Sequence, residues 1–287
     1  MHGRRHAPWH DRPMRRLRLP CLLLALLPLP VDAADAILVF SRTEGFRHAS
    51  IPAAVAALRD LAAEQGWQVT HSEDPAQFTP SRLAGFRAVV FASTTGNVLD
   101  AAQQAALQAY IEGGGGFMGV HAAADTEYDW PWYGELVGAR FANHPSGLQR
   151  TRVQQVDGHS WPVTDELYNF RRNPRPWVRV LATVDEGRYS GGTMGEDHPI
   201  TWCRPQGKGR SWYTGLGHDA AVYADRNMRA MLKRGLAYAG GASAECWQTP
   251  VEPGPRPASV AWAGQARHAV RVGLAAPEMS HAESQAR

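Results

Sequence analysis

From residue 36 the chain alternates short, continuous apolar runs with longer segments of helical spacing. "AILVF" (36–40), "AVVFAS" (88–93) and "FMGV" (117–120) are apolar at every position or nearly so, as expected of strands buried on both faces. "SIPAAVAALRDLAAEQG" places Ile51, Val55, Leu58 and Ala62 on one helical face; Ser50 is positioned to cap it, Pro52 suits its first turn, and Gly66 ends it. "WQVTH" (67–71) reads as a further strand. "DAAQQAALQAYIEGG" (100–114) reads as a helix whose Asp100 and Gln103 have capping-box spacing. Strand, helix, strand, strand, helix, strand predicts an α/β fold: a mostly parallel sheet with helices on both faces.

The pattern loosens after residue 140. "LQRTRVQQVD" and "VRVLATV" read as strands, and "PITWCR" and "RSWYTGLGH" as a pair joined through the turn-rich "PQGKG". A closing helix runs through "DRNMRAMLKRGLAYA", with Met228, Met231, Leu232 and Leu236 on one face. Residues 243–287 are rich in Pro, Ala, Ser and Gly and are expected to form a disordered tail. The glycines at 113–116 precede a strand, so they do not form a phosphate loop, which follows a strand and opens a helix.

At the other end, residues 1–34 read as a signal peptide. Arginines precede an apolar run from about Leu19 to Pro30, and small residues follow. The run is too short to span a bilayer. The expectation is a periplasmic or secreted protein that begins near Ala34 or Ala36 and has no integral membrane segment in its mature form. The formal net charge of +3 is small, and no basic stripe with interleaved aromatics follows the leader, which argues against a nucleic-acid partner. Removing the leader leaves Cys203 and Cys246, which an oxidising compartment would allow to pair; spacing alone does not decide whether they meet.

The candidate chemistry lies at strand ends. In open parallel sheets, ligands bind beyond the carboxyl ends of the strands. "AILVF" leads to His48, "FMGV" to His121 and "WYTGLG" to His218, which is followed by Asp219. Three imidazoles delivered to one rim can act as general acid and base near neutral pH, or they can ligate a divalent metal with an open position. Without a local H-x-x-x-H pattern both readings stay open, and a divalent metal held by His48, His121 and His218 is one of them. Around this trio, Glu44 and Arg47 are expected either to hydrogen-bond a ligand or to form a surface ion pair. Asp125 and Thr126 either orient His121 and bind a ligand or cap a helix. Trp130 belongs to an aromatic group with Tyr128, Trp132 and Tyr133 that either stacks on a ligand ring or packs a loop. His144, in "ANHPSG", joins the site or caps a turn, and Asp219 is a further candidate for substrate binding.

Together "FSRTEGFRHASI", "GGGGFMGVHAAADT", "FANHPSG", "TDELYNF", "DHPITWCRPQGKGRSWYTGLGHD" and the closing helix resemble the ThuA-like (trehalose utilisation) family across residues 36–240, within a domain bounded at 35–242. The resemblance implies a flavodoxin-like fold similar to class I glutamine amidotransferases, and a link to carbohydrate catabolism. Where those enzymes carry a nucleophilic cysteine in a G-x-C-x-G turn, this chain reads "GVHAA", with His121 in the cysteine's place; their late catalytic histidine resembles His218. A thiol-dependent glutaminase is therefore not expected. The resemblance implies an exported protein acting on small carbohydrates, in particular keto-sugars or keto-glycosides. Its chemistry would be proton abstraction beside a carbonyl, followed by elimination or isomerisation. The alternative is a non-catalytic carbohydrate- or partner-binding module on the same fold.

Overall fold

The computed structural model describes residues 35–246, together with Gly3. The leader expected over 1–34, Gly3 apart, and the tail from residue 247 lie outside the described residues. The chain opens with β1 (Ala36–Phe40), α1 (Ile51–Ala63), β2 (Gln68–Ser72), α2 (Pro80–Leu83), β3 (Ala88–Ala92), α3 (Ala101–Glu112) and β4 (Gly116–Val120). It continues through α4 (Pro131–Val137), β5 (Phe141–Asn143), β6 (Gln149–Gln155), β7 (Ser160–Asp165), β8 (Asn169–Phe170) and β9 (Arg179–Val184). A hairpin of β10 (Pro199–Gln206) and β11 (Gly209–Thr214) precedes the closing helix α5 (Arg226–Ala239).

Nine strands form one mixed sheet in the order β2-β1-β3-β4-β11-β10-β9-β6-β7. The first five run parallel, and the remaining four continue it antiparallel. The parallel half has the flavodoxin-like order, with β11 as its fifth strand. All five residues of β3 and all five of β4 are buried, which accounts for their unbroken apolar runs; both faces of these strands are covered. Phe40, Phe78, Phe91, Phe117 and Tyr133 form a chain of ring contacts through this core. The edge strand β7 carries Pro162, which an edge tolerates because no ladder hydrogen bond is lost on its open side.

Local signals hold where they rest on backbone chemistry. Asp100 and Gln103 form the reciprocal capping box of α3. The expected β10–β11 pair forms across its short turn, and Met228, Met231, Leu232 and Leu236 are the buried face of α5. Ser50 departs from expectation. It stands at the N-terminus of α1 but makes no cap; its hydroxyl instead donates to the Gly217 carbonyl at 2.8 Å, tying the loop after β1 to the loop after β11.

Loops over the carboxyl ends of the parallel strands are stitched side to side. Glu44 N–H donates to Thr95 O at 2.8 Å, Gly96 N–H to Asp125 O at 3.0 Å, and Glu127 N–H to Gly96 O at 3.0 Å. The segments following β1, β3 and β4 are thus fixed relative to one another, and they form the floor of the rim on which the histidines stand.

Cys203 of β10 is bonded to Cys246, with a Cα–Cα distance of 6.4 Å and a sequence separation of 43. The bond fastens the segment after α5 to the sheet. We expect non-reducing peptide mapping to recover the linked pair. Cys246→Ser should cost about 2–4 kcal/mol in denaturant unfolding, the usual range for closing a loop of this size. Recovery of both thiols free from protein prepared under oxidising conditions would refute the pairing.

Candidate functional site

The site is built where β4 ends. His121 follows Val120 directly and has a left-handed backbone, φ 51°. That conformation is uncommon for a residue with a side chain and concentrates at functional turns. It turns the chain sharply from strand into the short 3₁₀ segment His121–Asp125. Neighbours hold it there. Its carbonyl accepts from the Tyr213 hydroxyl at 2.8 Å, and its Nδ1 lies 2.8 Å from the Gly215 carbonyl. A carbonyl can only accept, so the proton sits on Nδ1 and Nε2 presents a lone pair. Gly217 stands against the Cβ of the same residue. At φ 134° it adopts a backbone that side chains avoid, and a Cβ there would run into the Tyr223 hydroxyl and meet His121 Cβ at 3.3 Å. His121 is wholly buried. It is a packed interior side chain rather than one that faces an open cleft.

His48 and His218 close on it. Ring centroids lie 4.7 Å apart for His48–His121, 5.2 Å for His48–His218 and 5.5 Å for His121–His218. The loop after β1 and the loop after β11 therefore do bring the second and third predicted histidines to the first. His48 is buried, and burial, reinforced by the neighbouring imidazoles His121 and His218, drives its pKa down to about 3. It is neutral through the physiological range.

Glu166 is a member that sequence reasoning passed over. Its carboxylate is buried and faces the trio. Oε1 lies 3.2 Å from His218 Nδ1 and 3.5 Å from His121 Nε2, and Oε2 lies 3.2 Å from His144 Nδ1. The His121 separation is a charge contact rather than a hydrogen bond. Burial pushes the Glu166 carboxyl up, but the facing His121, His218 and His144 outweigh it and hold its pKa below the usual carboxylate value. The signal was present in "TDELYNF", where two adjacent acids follow a strand and lead into an apolar stretch. Asp165, the first of them, is fully buried and accepts from the backbone N–H groups of Gly217 (2.6 Å), Asp219 (2.8 Å) and Glu166 (3.0 Å). It locks the Glu166 and His218 loops together.

His144 reaches this cluster, with 38% of its side chain exposed. Its Nδ1 faces two acceptors, Pro145 O at 2.8 Å and Glu166 Oε2 at 3.2 Å. Nδ1 therefore carries the proton and Nε2 the lone pair. Tyr168 lays its ring 4.2 Å from that of His121 and 4.3 Å from that of Phe141, walling the buried side of the site.

The other candidates take quieter positions. Asp125 is half-buried, accepts from the Tyr128 hydroxyl and stands within electrostatic reach of His121; burial raises its pKa. Thr126 is wholly buried and spends its hydroxyl on Thr94 and on the Ala122 carbonyl, so it fastens loops and has no hydroxyl left for a ligand. Asp219 caps the short helix that follows it through Ala221 N–H. Glu44 pairs with Arg42, and Arg47 with Glu73, all as exposed ion pairs. Trp130 stacks on Trp132, whose indole N–H donates to Glu112 at the end of α3, while Tyr133 is buried in the core. That geometry matches loop packing. His71 bonds to Ser41 on the β2 edge, outside the cluster.

An open α/β sheet of this order, with imidazoles and a carboxylate gathered over its strand ends, defines a flavodoxin-like, amidotransferase-like fold. The model of the ThuA family, described as trehalose utilisation, matches residues 36–239. The chain belongs to that family, and its role is carbohydrate-related. Among solved structures, a ThuA-like protein from Bacteroides uniformis ATCC 8492 is 21% identical; the match covers 74% of this chain and 95% of that one, with a TM-score of 0.60. A ThuA-like protein from Parabacteroides merdae ATCC 43184 is 18% identical over 72% of this chain and 90% of that one, with a TM-score of 0.58. At these identities the likeness concerns the fold. A search of the curated proteins finds no match.

Behind the site, wholly buried His198 places Nε2 2.9 Å from the Tyr168 carbonyl and Nδ1 2.9 Å from the Tyr189 hydroxyl. Burial lowers its pKa, against the pull of the Tyr168 carbonyl and Glu186. The unfolded chain takes up this proton near pH 6.5 and the folded chain only at lower pH, so acid favours unfolding. We expect wild type to lose stability relative to His198→Gln by up to about 1.4 kcal/mol per pH unit below 6. Urea titrations at several pH values measure this; parallel curves for the two proteins would mean that His198 titrates normally.

Proposed function

We propose that this protein is an exported enzyme that acts on small oxidised carbohydrates, keto-sugars or keto-glycosides, by moving a proton on the carbon beside the ketone. The observation that supports this reading is the carboxylate–imidazole pair of Glu166 and His144 at the exposed lip of a buried imidazole cluster, in a chain of the trehalose-utilisation family. A base removes the C2 proton of a 3-keto sugar. The C–H electrons form a C2=C3 double bond, and the negative charge moves to the C3 oxygen. Collapse of that enolate either forms C1=C2 and expels the C1 substituent, which takes up a proton, or, after the C2 hydroxyl proton passes to the C3 oxygen, takes up a proton at C3 and leaves the carbonyl at C2. His144 suits the base. Its Nδ1 proton is fixed by Pro145 O and Glu166, its Nε2 carries the lone pair, and its exposure lets it meet a substrate. This moves the proton-transfer role from buried His121 to His144.

Export draws support from the order of arginines, apolar run and small residues in the leader, and from the Cys203–Cys246 bond, which suits an oxidising compartment. A mature N-terminus near Ala34 or Ala36 on protein recovered from the periplasm or medium is the expected result; cytosolic protein retaining residues 1–30 would remove this part of the reading.

The test of the chemistry is incubation with 3-keto-trehalose in D2O, followed by NMR. We expect deuterium at C2 of recovered substrate from reversible exchange, together with products that have lost the C2 hydrogen: release of the C1 substituent with a C1=C2 double bond, or deuterium at C3 with the carbonyl moved to C2. His144→Gln should slow all of these by about a hundred-fold or more, the scale of a lost general base, with the fold intact. Saturable binding with no exchange at C2 would instead identify a binding module. Exchange that is unchanged in His144→Gln would return the base to another residue.

A further inference from the structure

The three inner imidazoles pose a problem that the protein alone does not solve. His48 Nδ1, His121 Nε2 and His218 Nδ1 are buried and, among the described residues, have no hydrogen-bond partner. Leaving one such atom unpaired in a dry interior is destabilising, and here three converge. The tautomer sharpens the conflict. Gly215 O holds the His121 proton on Nδ1, so Nε2 turns a lone pair toward the Glu166 carboxylate 3.5 Å away. Two acceptors face each other with nothing to donate between them. A proton would satisfy one pair only. A cation at the centre satisfies all four groups at once.

We propose that His48, His121, His218 and Glu166 bind a single divalent transition-metal ion, with His144 as the positioning residue that holds the second oxygen of Glu166. One ligand atom from each of the four lies within 4.8 Å of those of the others. Bonds of about 2.1 Å set neighbouring ligands roughly 3.0–3.4 Å apart and opposite octahedral ligands about 4.2 Å apart. Glu166 Oε1 already stands at 3.2 and 3.5 Å from the nitrogens of His218 and His121, so only the wider spacings need to close. Three imidazoles and one carboxylate are a borderline donor set, which selects Zn2+, Ni2+, Co2+ or Mn2+ over the oxygen-preferring Ca2+ and Mg2+. The outer contacts are of the kind that orient metal ligands: Gly215 O on His121 Nδ1, and His144 on Glu166. Four protein ligands leave an octahedral ion two positions for a carbonyl or hydroxyl oxygen of a substrate. The site goes beyond the keto-sugar reading and does not depend on it.

The experiment uses the full chain, without a histidine tag, stripped with chelator and then titrated separately with Zn2+, Mn2+, Ni2+ and Mg2+. Calorimetry and a melting scan follow each ion, and Co2+ is added for its visible spectrum. We expect about one transition ion per chain, a higher Tm on loading, ligand-field bands from Co2+, and no response to Mg2+. Glu166→Gln and His121→Gln should each weaken binding a hundred-fold or more and abolish the Co2+ bands. His144→Ala should weaken it about ten-fold, and His71→Gln should leave it unchanged. Circular dichroism of the stripped variants separates lost binding from lost folding, and His218→Gln, on the more exposed ligand, provides a second variant should His121→Gln fail to fold. Folded wild-type protein that takes up no ion, or that binds equally well after every ligand substitution, would overturn the site. Because no step reads sugar turnover, an ion bound with no activity on 3-keto-trehalose would count against the functional reading alone.

Discussion

The site depends on one buried carboxylate that does no chemistry. Asp165 ends the far edge strand of the sheet, four strands away from β11 in the ladder, yet its oxygens accept the amides of Gly217 and Asp219 in the loop after β11. A carboxylate buried this deeply is costly to ionise, and burial does raise its pKa; the contrary pull comes from His121 and from the three backbone N–H groups it accepts. The arrangement fixes two things together. It sets the loop that carries His218, and it sets the direction of the next residue, Glu166, toward the three histidines. Removing the Asp165 carboxylate would leave three buried amides without acceptors and would release the fourth wall of the cluster. The antiparallel half of the sheet is thus more than an extension of a flavodoxin-like core: it carries the acidic side of the site to the rim that the parallel half supplies with imidazoles.

His121 shows what a strand-to-turn elbow provides when the nucleophile is absent. The left-handed backbone at φ 51° projects one side chain from the end of β4 into a crowded space and fixes its direction. With a thiol or hydroxyl, that geometry serves attack. With an imidazole whose proton is held by Gly215 O, it serves the delivery of a lone pair to a fixed point. The fold contributes the pointing; the residue type decides the reaction. The fold does not carry a reaction with it, and both described cysteines are spent on a structural bond.

The legible part of this structure was the part governed by local rules. Continuous apolar runs gave the buried strands, and the Asp100–Gln103 spacing gave the cap of α3. The placement of His48, His121 and His218 after apolar runs was enough to gather them, because strand ends in a parallel sheet share one rim. What stayed hidden depended on contacts distant in sequence. Ser50 resembles a helix cap, yet its hydroxyl serves Gly217, 167 positions away. Glu166 follows a strand that no parallel-sheet pattern predicts, and its role exists only because β7 leads the chain back across the molecule. Thr126 and Arg47 have the polar character of site residues, but each is engaged by a partner distant in sequence, Thr94 and Glu73, while Glu44 and Asp219 are engaged locally by Arg42 and the Ala221 N–H.

Exposure divides the cluster by task. His48 and His121 lie behind the surface, His218 is partly open, and His144 is the most open of the four. A buried neutral imidazole such as His48 is a poor proton carrier, since its charge is penalised by the burial that drives its pKa down to about 3. It is well suited to hold something fixed. An exposed imidazole braced by a carboxylate has the opposite properties: it exchanges protons with water and keeps one tautomer. Glu166 belongs to both groups, one oxygen toward the buried wall and the other toward His144. A change in charge at the buried histidines is therefore felt directly at His144, and a single carboxylate couples the closed part of the cluster to its exposed part.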